Sequence, residues 1–107
     1  MKNETVNWLY VTASSTEEAQ MIAKTLVRER LVACANILGE IQSVYWWDGA
    51  VQNDDEVALI LKTRKGLVSQ VSQRIVALHS YECPCVVALD VSDGNQDYLK
   101  WIVKETQ

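Results

Sequence analysis

The sequence predicts an α+β sandwich dominated by a β-hairpin too long for one small domain to cover. Three observations lead there. Residues 31–47 and much of 51–63 are rich in β-branched, aromatic and aliphatic residues, and Asp48-Gly49 stands between them. That pair suits a two-residue type I′ turn, which needs positive φ at both positions. Two further stretches carry helical periodicity, with apolar residues three and four apart. The element order is β-α-β-β-α-β-α, whose first six members are the split β-α-β pattern of a ferredoxin-like sandwich. A strand of about 17 residues at ~3.3 Å each would be roughly 56 Å long. A domain of about 100 residues has a radius of gyration near 13 Å. Part of the ribbon must therefore project, and Tyr45, Trp46 and Trp47 near its tip are expected to anchor a subunit interface.

Each element has its own signal. Residues 6–12 mix aliphatic and aromatic side chains and read as the first strand. Ser15 starts a helix, with Glu18 three residues on as the reciprocal half of a capping box. Ala19, Ile22, Ala23, Leu26 and Val27 then share one helical face, and Glu17, Glu18, Lys24, Arg28 and Glu29 take the solvated side. The helix is expected to end near Arg30. Gly39 interrupts the first ribbon strand and reads as a bulge that bends it. Residues 67–78 form a second helix, with Leu67, Val71, Ile75 and Leu78 inward and with Arg74 and His79 toward its negative end. Residues 86–91 are almost continuously apolar, which predicts a strand buried on both faces. Asp93-Gly94-Asn95 turns the chain, and Asn95 caps a last helix from Gln96 to about Lys104 that buries Tyr98, Leu99 and Ile102. Helices on one face of an antiparallel sheet would leave the other face for a second subunit.

Composition narrows the function classes. The 107 residues suffice for one domain spanning 1–107, and 49% are apolar, which argues against disorder. A net charge of −4 with no basic cluster argues against a nucleic-acid partner. No run reaches the ~18 apolar residues of a membrane span, and residues 1–7 lack the apolar core of a secretory signal. A cytoplasmic location is the expectation, with Cys34, Cys83 and Cys85 as free thiols. No nucleophile–base–orienter set, phosphate loop or H-E-x-x-H stands in the chain, so nothing argues for an enzyme.

Several segments together resemble the CutA divalent-cation tolerance proteins. They are Leu31-Val32-Ala33-Cys34-Ala35-Asn36-Ile37, Ser43-Val44-Tyr45-Trp46-Trp47-Asp48-Gly49, Lys62-Thr63-Arg64, His79-Ser80-Tyr81-Glu82-Cys83-Pro84 and Gly94-Asn95-Gln96-Asp97-Tyr98-Leu99-Lys100-Trp101, with Glu18-Ala19, Ile22-Ala23 and Leu26-Val27 on the first helix. The resemblance implies a homotrimer of ferredoxin-like subunits with interlocked ribbons, a link to copper and other divalent cations, and a cytoplasmic location. It also implies a copper site built from a cysteine late in the first strand and a His-His pair. The matching positions are Val11, Leu78 and His79, so only His79 carries a ligand here. Ala13-Ser14 stands where Ala-Pro is common, Ser80 where Pro is usual, and Cys83 and Cys85 where other residues are usual.

Candidate chemistry therefore starts from His79, the one histidine, whose imidazole could ligate a metal or simply pack at a helix end. In an extended Cys83-Pro84-Cys85 segment both thiols would share a face, a soft pair suited to Cu(I) or zinc, or two small residues entering a strand. Cys34 between two alanines reads as a packed thiol. Lys62, Tyr98 and Trp101 could line an inter-subunit pocket with Lys62 offering charge to an anion, or could pack over apolar surface. Asp54-Asp55-Glu56 reads as a solvated loop. The first reading is a cytoplasmic homotrimer binding copper or divalent ions weakly. One rival is a small-anion-binding or signalling trimer similar to PII proteins, against which the tight Asp48-Gly49 turn counts. The other is a trimeric scaffold without catalytic activity.

Overall fold

Ser15 is extended, and its side chain accepts the Glu18 N–H at 3.1 Å, so the first helix starts where its cap predicts. The computed structural model describes residues 4–107; residues 1–3 of the N-terminal stretch considered above lie outside the described residues. The elements are β1 Val6–Ala13, α1 Thr16–Arg28, β2 Cys34–Trp47, β3 Ala50–Arg64, α2 Val68–Leu78, β4 Val86–Asp90 and α3 Gln96–Glu105, with one 3-10 turn, Lys65–Leu67, before α2. The strands form one antiparallel sheet in the order β2-β3-β1-β4, as a ferredoxin-like sandwich requires.

Alternation decides the two faces. Leu9, Val11 and Ala13 of β1 and Val57, Leu59 and Leu61 of β3 form the core with Ile22 and Leu26 of α1 and Val71 and Ile75 of α2. Each large aliphatic side chain removed from water contributes about 1.5–3 kcal/mol. Arg74 grips Glu29 with Nε–Oε1 2.9 Å and Nη2–Oε2 2.8 Å, tying α2 to α1 rather than serving its own helix end. The intervening residues, Trp8, Tyr10 and Thr12 on β1 and Glu56, Ala58, Ile60 and Lys62 on β3, point to the opposite face. There α3 crosses one end, where Tyr98 meets Lys62, and Ile102 is buried apart from the main core. The expectation of helices on one face alone is thus corrected. Tyr98 stays half exposed and Leu99 only partly covered, because this single helix covers just part of the sheet.

The hairpin keeps its predicted turn. Asp48 (φ 52°) and Gly49 (φ 79°) join Trp47 to Ala50. Its first strand begins at Cys34, not at residue 31, because α1 ends in a Schellman motif. Arg30 turns left-handed (φ 59°), the Leu31 N–H donates to the Leu26 carbonyl and the Arg30 N–H to Val27. The register shifts between Ile37 and Gly39, leaving Leu38 unpaired, and Gly39 takes φ 114°. This is the expected bulge. Beyond it the ribbon leaves the core, giving the molecule a 50 Å long axis against 25 and 22 Å across and a radius of gyration of 14.5 Å.

One strand departs from expectation. β4 is an edge strand paired only with β1, and Val87 and Leu89 are more than half exposed. Their apolar character reflects the uncovered face of the sheet and not burial on both sides.

Candidate functional site

The bulge sets up the site. Before it, Cys34 and Asn36 pair with Lys62 and Ile60 on the open face; after it, Ile41, Ser43, Tyr45 and Trp47 pair with Glu56, Asp54, Gln52 and Ala50. One unpaired residue changes the parity of β2, so Tyr45 and Trp47 come to the Glu56 side while Trp46 and Val44 face the other way. The three tip aromatics therefore do not share a surface. Among the described residues Trp46 and Val44 are the most exposed large apolar side chains, at 74% and 68%.

Between this ribbon and the 80–85 segment lies a cleft of about 630 Å³. Tyr10 and Thr12 of β1 and Glu56 of β3 line its base, Ser43, Tyr45 and Trp47 one wall, and Tyr81, Glu82, Cys83 and Cys85 the other. The Tyr45 hydroxyl binds Asp54 across the hairpin, and the Tyr81 hydroxyl donates to Glu56 Oε2 at 2.8 Å. Glu56 is only 8% exposed, so the Asp54-Asp55-Glu56 run is not a solvated loop; it is a strand entering the core, with its last carboxylate turned inward.

Two residues anchor the second wall. The buried His79 ring holds Thr12 and Tyr81: Nε2 donates to the Thr12 carbonyl at 2.8 Å, and Nδ1 accepts the Tyr81 N–H at 3.0 Å. These partners require the neutral tautomer protonated on Nε2. Glu18, expected to face water and to close a capping box on Ser15, instead accepts from Ser14 N and Oγ at 2.9 Å each and from Ser80 N at 2.8 Å. Burial would raise its pKa, but these donors outweigh that and hold it at about 2.

Glu56 and Glu82 are the charged side chains that line the cleft, and burial and local hydrogen bonds shift its titratable groups. The Cys85 thiol is pushed up first by burial and then by the Glu56 charge, with a Thr12 hydrogen bond opposing. Tyr81 is pushed up by burial, its bond to Glu56 and that carboxylate's charge, and Tyr45 by its bond to Asp54.

As a metal centre the arrangement is incomplete. Both nitrogens of His79 are committed inside the fold, so ligation through it would break a buried hydrogen bond. Cys83 is exposed and Cys85 partly buried; they share the cleft without His79. Among the described residues, no group of three or more His, Cys, Asp or Glu side chains converges to hold an ion. Cys34 lies elsewhere, its Sγ 3.8 Å from Asn36 Oδ1.

Lys62, Tyr98 and Trp101 do come together. Lys62 Nζ lies 3.3 Å from the Tyr98 hydroxyl, and the Tyr98 ring stacks on Trp101 at 5.6 Å. The sequence reading missed Trp8, whose ring lies 5.6 Å from the same ammonium. Its signal was position: Trp8 pairs with Lys62 across the sheet. Trp101 also borders a separate cavity of about 300 Å³ beside Arg30 and Glu105. Glu56, Glu18 and Tyr81 were likewise missed as organisers; the alternation of Glu56 with Val57 and Leu59 was the available clue.

The family profile described as CutA1 divalent ion tolerance protein matches residues 7–105. The divalent-cation tolerance protein CutA of Pyrococcus horikoshii is 46% identical over 99 residues, covering 92% of this chain and 96% of that one. The structure of the divalent cation tolerance protein from Thermus thermophilus superposes with a TM-score of 0.93 at 40% identity, covering 95% and 99% of the two chains. The structure named periplasmic divalent cation tolerance protein CutA, from Archaeoglobus fulgidus, gives 0.92 at 39% identity over 95% and 99%.

Proposed function

From the premise that the chain belongs to the CutA1 divalent ion tolerance family, we propose that it is a cytoplasmic homotrimer that binds copper or other divalent ions weakly and supports metal tolerance without catalysing a reaction. The observation that carries the metal reading is the placement of both Cys83 and Cys85 on one electronegative cleft, beside Glu56 and Glu82. Thiolates are soft donors suited to Cu(I), and a raised Cys85 pKa means that its binding must release a proton. Among the described residues too few donors converge for a closed site, which favours weak binding or donors contributed by a second subunit.

The exposed apolar ribbon supports assembly. Val44, Trp46 and Val51 lie bare on one side of the hairpin, and Trp8, Val87 and Leu89 on the open sheet face. Contiguous apolar surface of this kind marks an interaction site. No helix among the described residues is long and apolar enough to cross a membrane. The anion-binding alternative has Lys62 as its cation, but Tyr98 and Trp8 already surround that ammonium.

The test is a titration of reduced protein with Cu(I) and Cu(II), with mass by light scattering. A mass about three times the 12.1 kDa of one chain is expected. Cys83→Ser/Cys85→Ser is expected to weaken Cu(I) at least about tenfold, the loss of one good ligand's worth of binding. Unchanged affinity in that variant would sink the cysteine assignment, and a monomer would sink the assembly.

A further inference from the structure

The cleft has a property that metal chemistry leaves unused. It has four aromatic rings, Tyr10, Tyr45, Trp47 and Tyr81, and two carboxylates, yet no positively charged side chain among the described residues lines it. Glu56 is buried and bonded only to a neutral phenol; none of the ion pairs among the described residues includes it. A carboxylate withdrawn from water without a counter-charge is costly, and a bound cation would relieve that cost.

We propose that this cleft binds an organic ammonium ion, with Glu56 as its counter-charge and the Trp47, Tyr45 and Tyr81 rings around its apolar body. Ring faces attract cations, and substituted ammonium ions are held in this way by aromatic cages with a nearby carboxylate. The volume, about 630 Å³, is that of a small-molecule site and far exceeds one metal ion. The rings come from β1, β2 and the 80–85 segment, and the β2 pair reaches the cleft only through the bulge. This inference does not rest on metal binding, and the copper titration can fail while it stands.

The experiment compares 2-phenylethylammonium with 2-phenylethanol, which has nearly the same shape and no charge. Calorimetry is run on the assembled protein with EDTA present. The ammonium is expected to bind at least about tenfold more tightly than the alcohol, as a desolvated cation on rings and a carboxylate should. Glu56→Gln should bring that ratio close to one. Because Glu56 also holds Tyr81, a second variant guards against misfolding: Trp47→Leu, on the exposed hairpin, should weaken the ammonium at least about threefold. Equal affinity for both probes overturns the proposal. So does binding of neither, the result if a neighbouring subunit fills the cleft, and so does an ammonium affinity indifferent to both substitutions.

Discussion

Glu18→Gln is expected to destabilise the protein by on the order of 3 kcal/mol near neutral pH, which lowers the midpoint of thermal unfolding by roughly 10–20 °C. The glutamine is nearly the same size but cannot carry the charge that three donors converge on. Ser14 N and Oγ at 2.9 Å and Ser80 N at 2.8 Å all point at this carboxylate, which is 10% exposed. An amide also presents NH₂ to one of those N–H groups, leaving a donor against a donor. The pH dependence follows from the direction of the shift. The folded value, about 2, lies below the usual 4.5. The contribution is therefore complete above the usual value and is lost as pH falls through the folded one. Denaturant unfolding of both proteins from pH 6 to pH 2, at one protein concentration, should show their difference shrinking across that window. A gap of constant size would mean that Glu18 acts by shape alone. The affected part is the cleft wall, because Ser80 adjoins His79 and Tyr81.

Gly39→Val is expected to cost about 1–3 kcal/mol, the penalty of holding a β-branched residue in a sparsely populated backbone region. Space is not the cause, because a Cβ on Gly39 would meet nothing within 4 Å. The backbone is, with φ at 114°. A sharper form of the prediction uses Leu38. Removing that unpaired residue leaves every other β2–β3 partner matched in a regular ladder, so residue 39 no longer needs its left-handed conformation. In the chain lacking Leu38, valine at 39 should be neutral or stabilising, since it suits a strand better than glycine. A double-mutant cycle by chemical unfolding tests this. If valine costs the same in both backgrounds, the bulge is not what makes glycine necessary.

Local chemistry was legible and neighbourhood was not. The Asp48-Gly49 turn, the Gly39 bulge and the Ser15 cap each depend on one or two residues and stand where the sequence places them. The apolar run of β4 was misread because an edge strand on an uncovered face has the composition of a buried one. His79 looked available as a ligand because its partners, the Thr12 carbonyl and the Tyr81 N–H, are backbone groups with no side-chain signature. Glu56 and Glu18 looked solvated beside other charges, and only the fold turns them inward. Cys83 and Cys85 were recognisable as a pair, whereas three of the rings that share their cleft, Tyr10, Tyr45 and Trp47, come from distant stretches of chain.

The strand order also has a consequence for how the chain is made. β1 precedes the other described strands in the chain but sits between β3 and β4, and its pairing partners are at residues 57–64 and 86–90. The β2–β3 ribbon needs only its own two-residue turn to close, and contacts between near neighbours in sequence form soonest. On the ribosome, β1 and its apolar side chains must therefore wait, unpaired, until residues 57–64 and then 86–90 have emerged. Pulse-labelled hydrogen exchange during refolding should show β2–β3 amides protected before those joining β1 to β4. The interval between them is when nascent chains are most exposed to capture by one another.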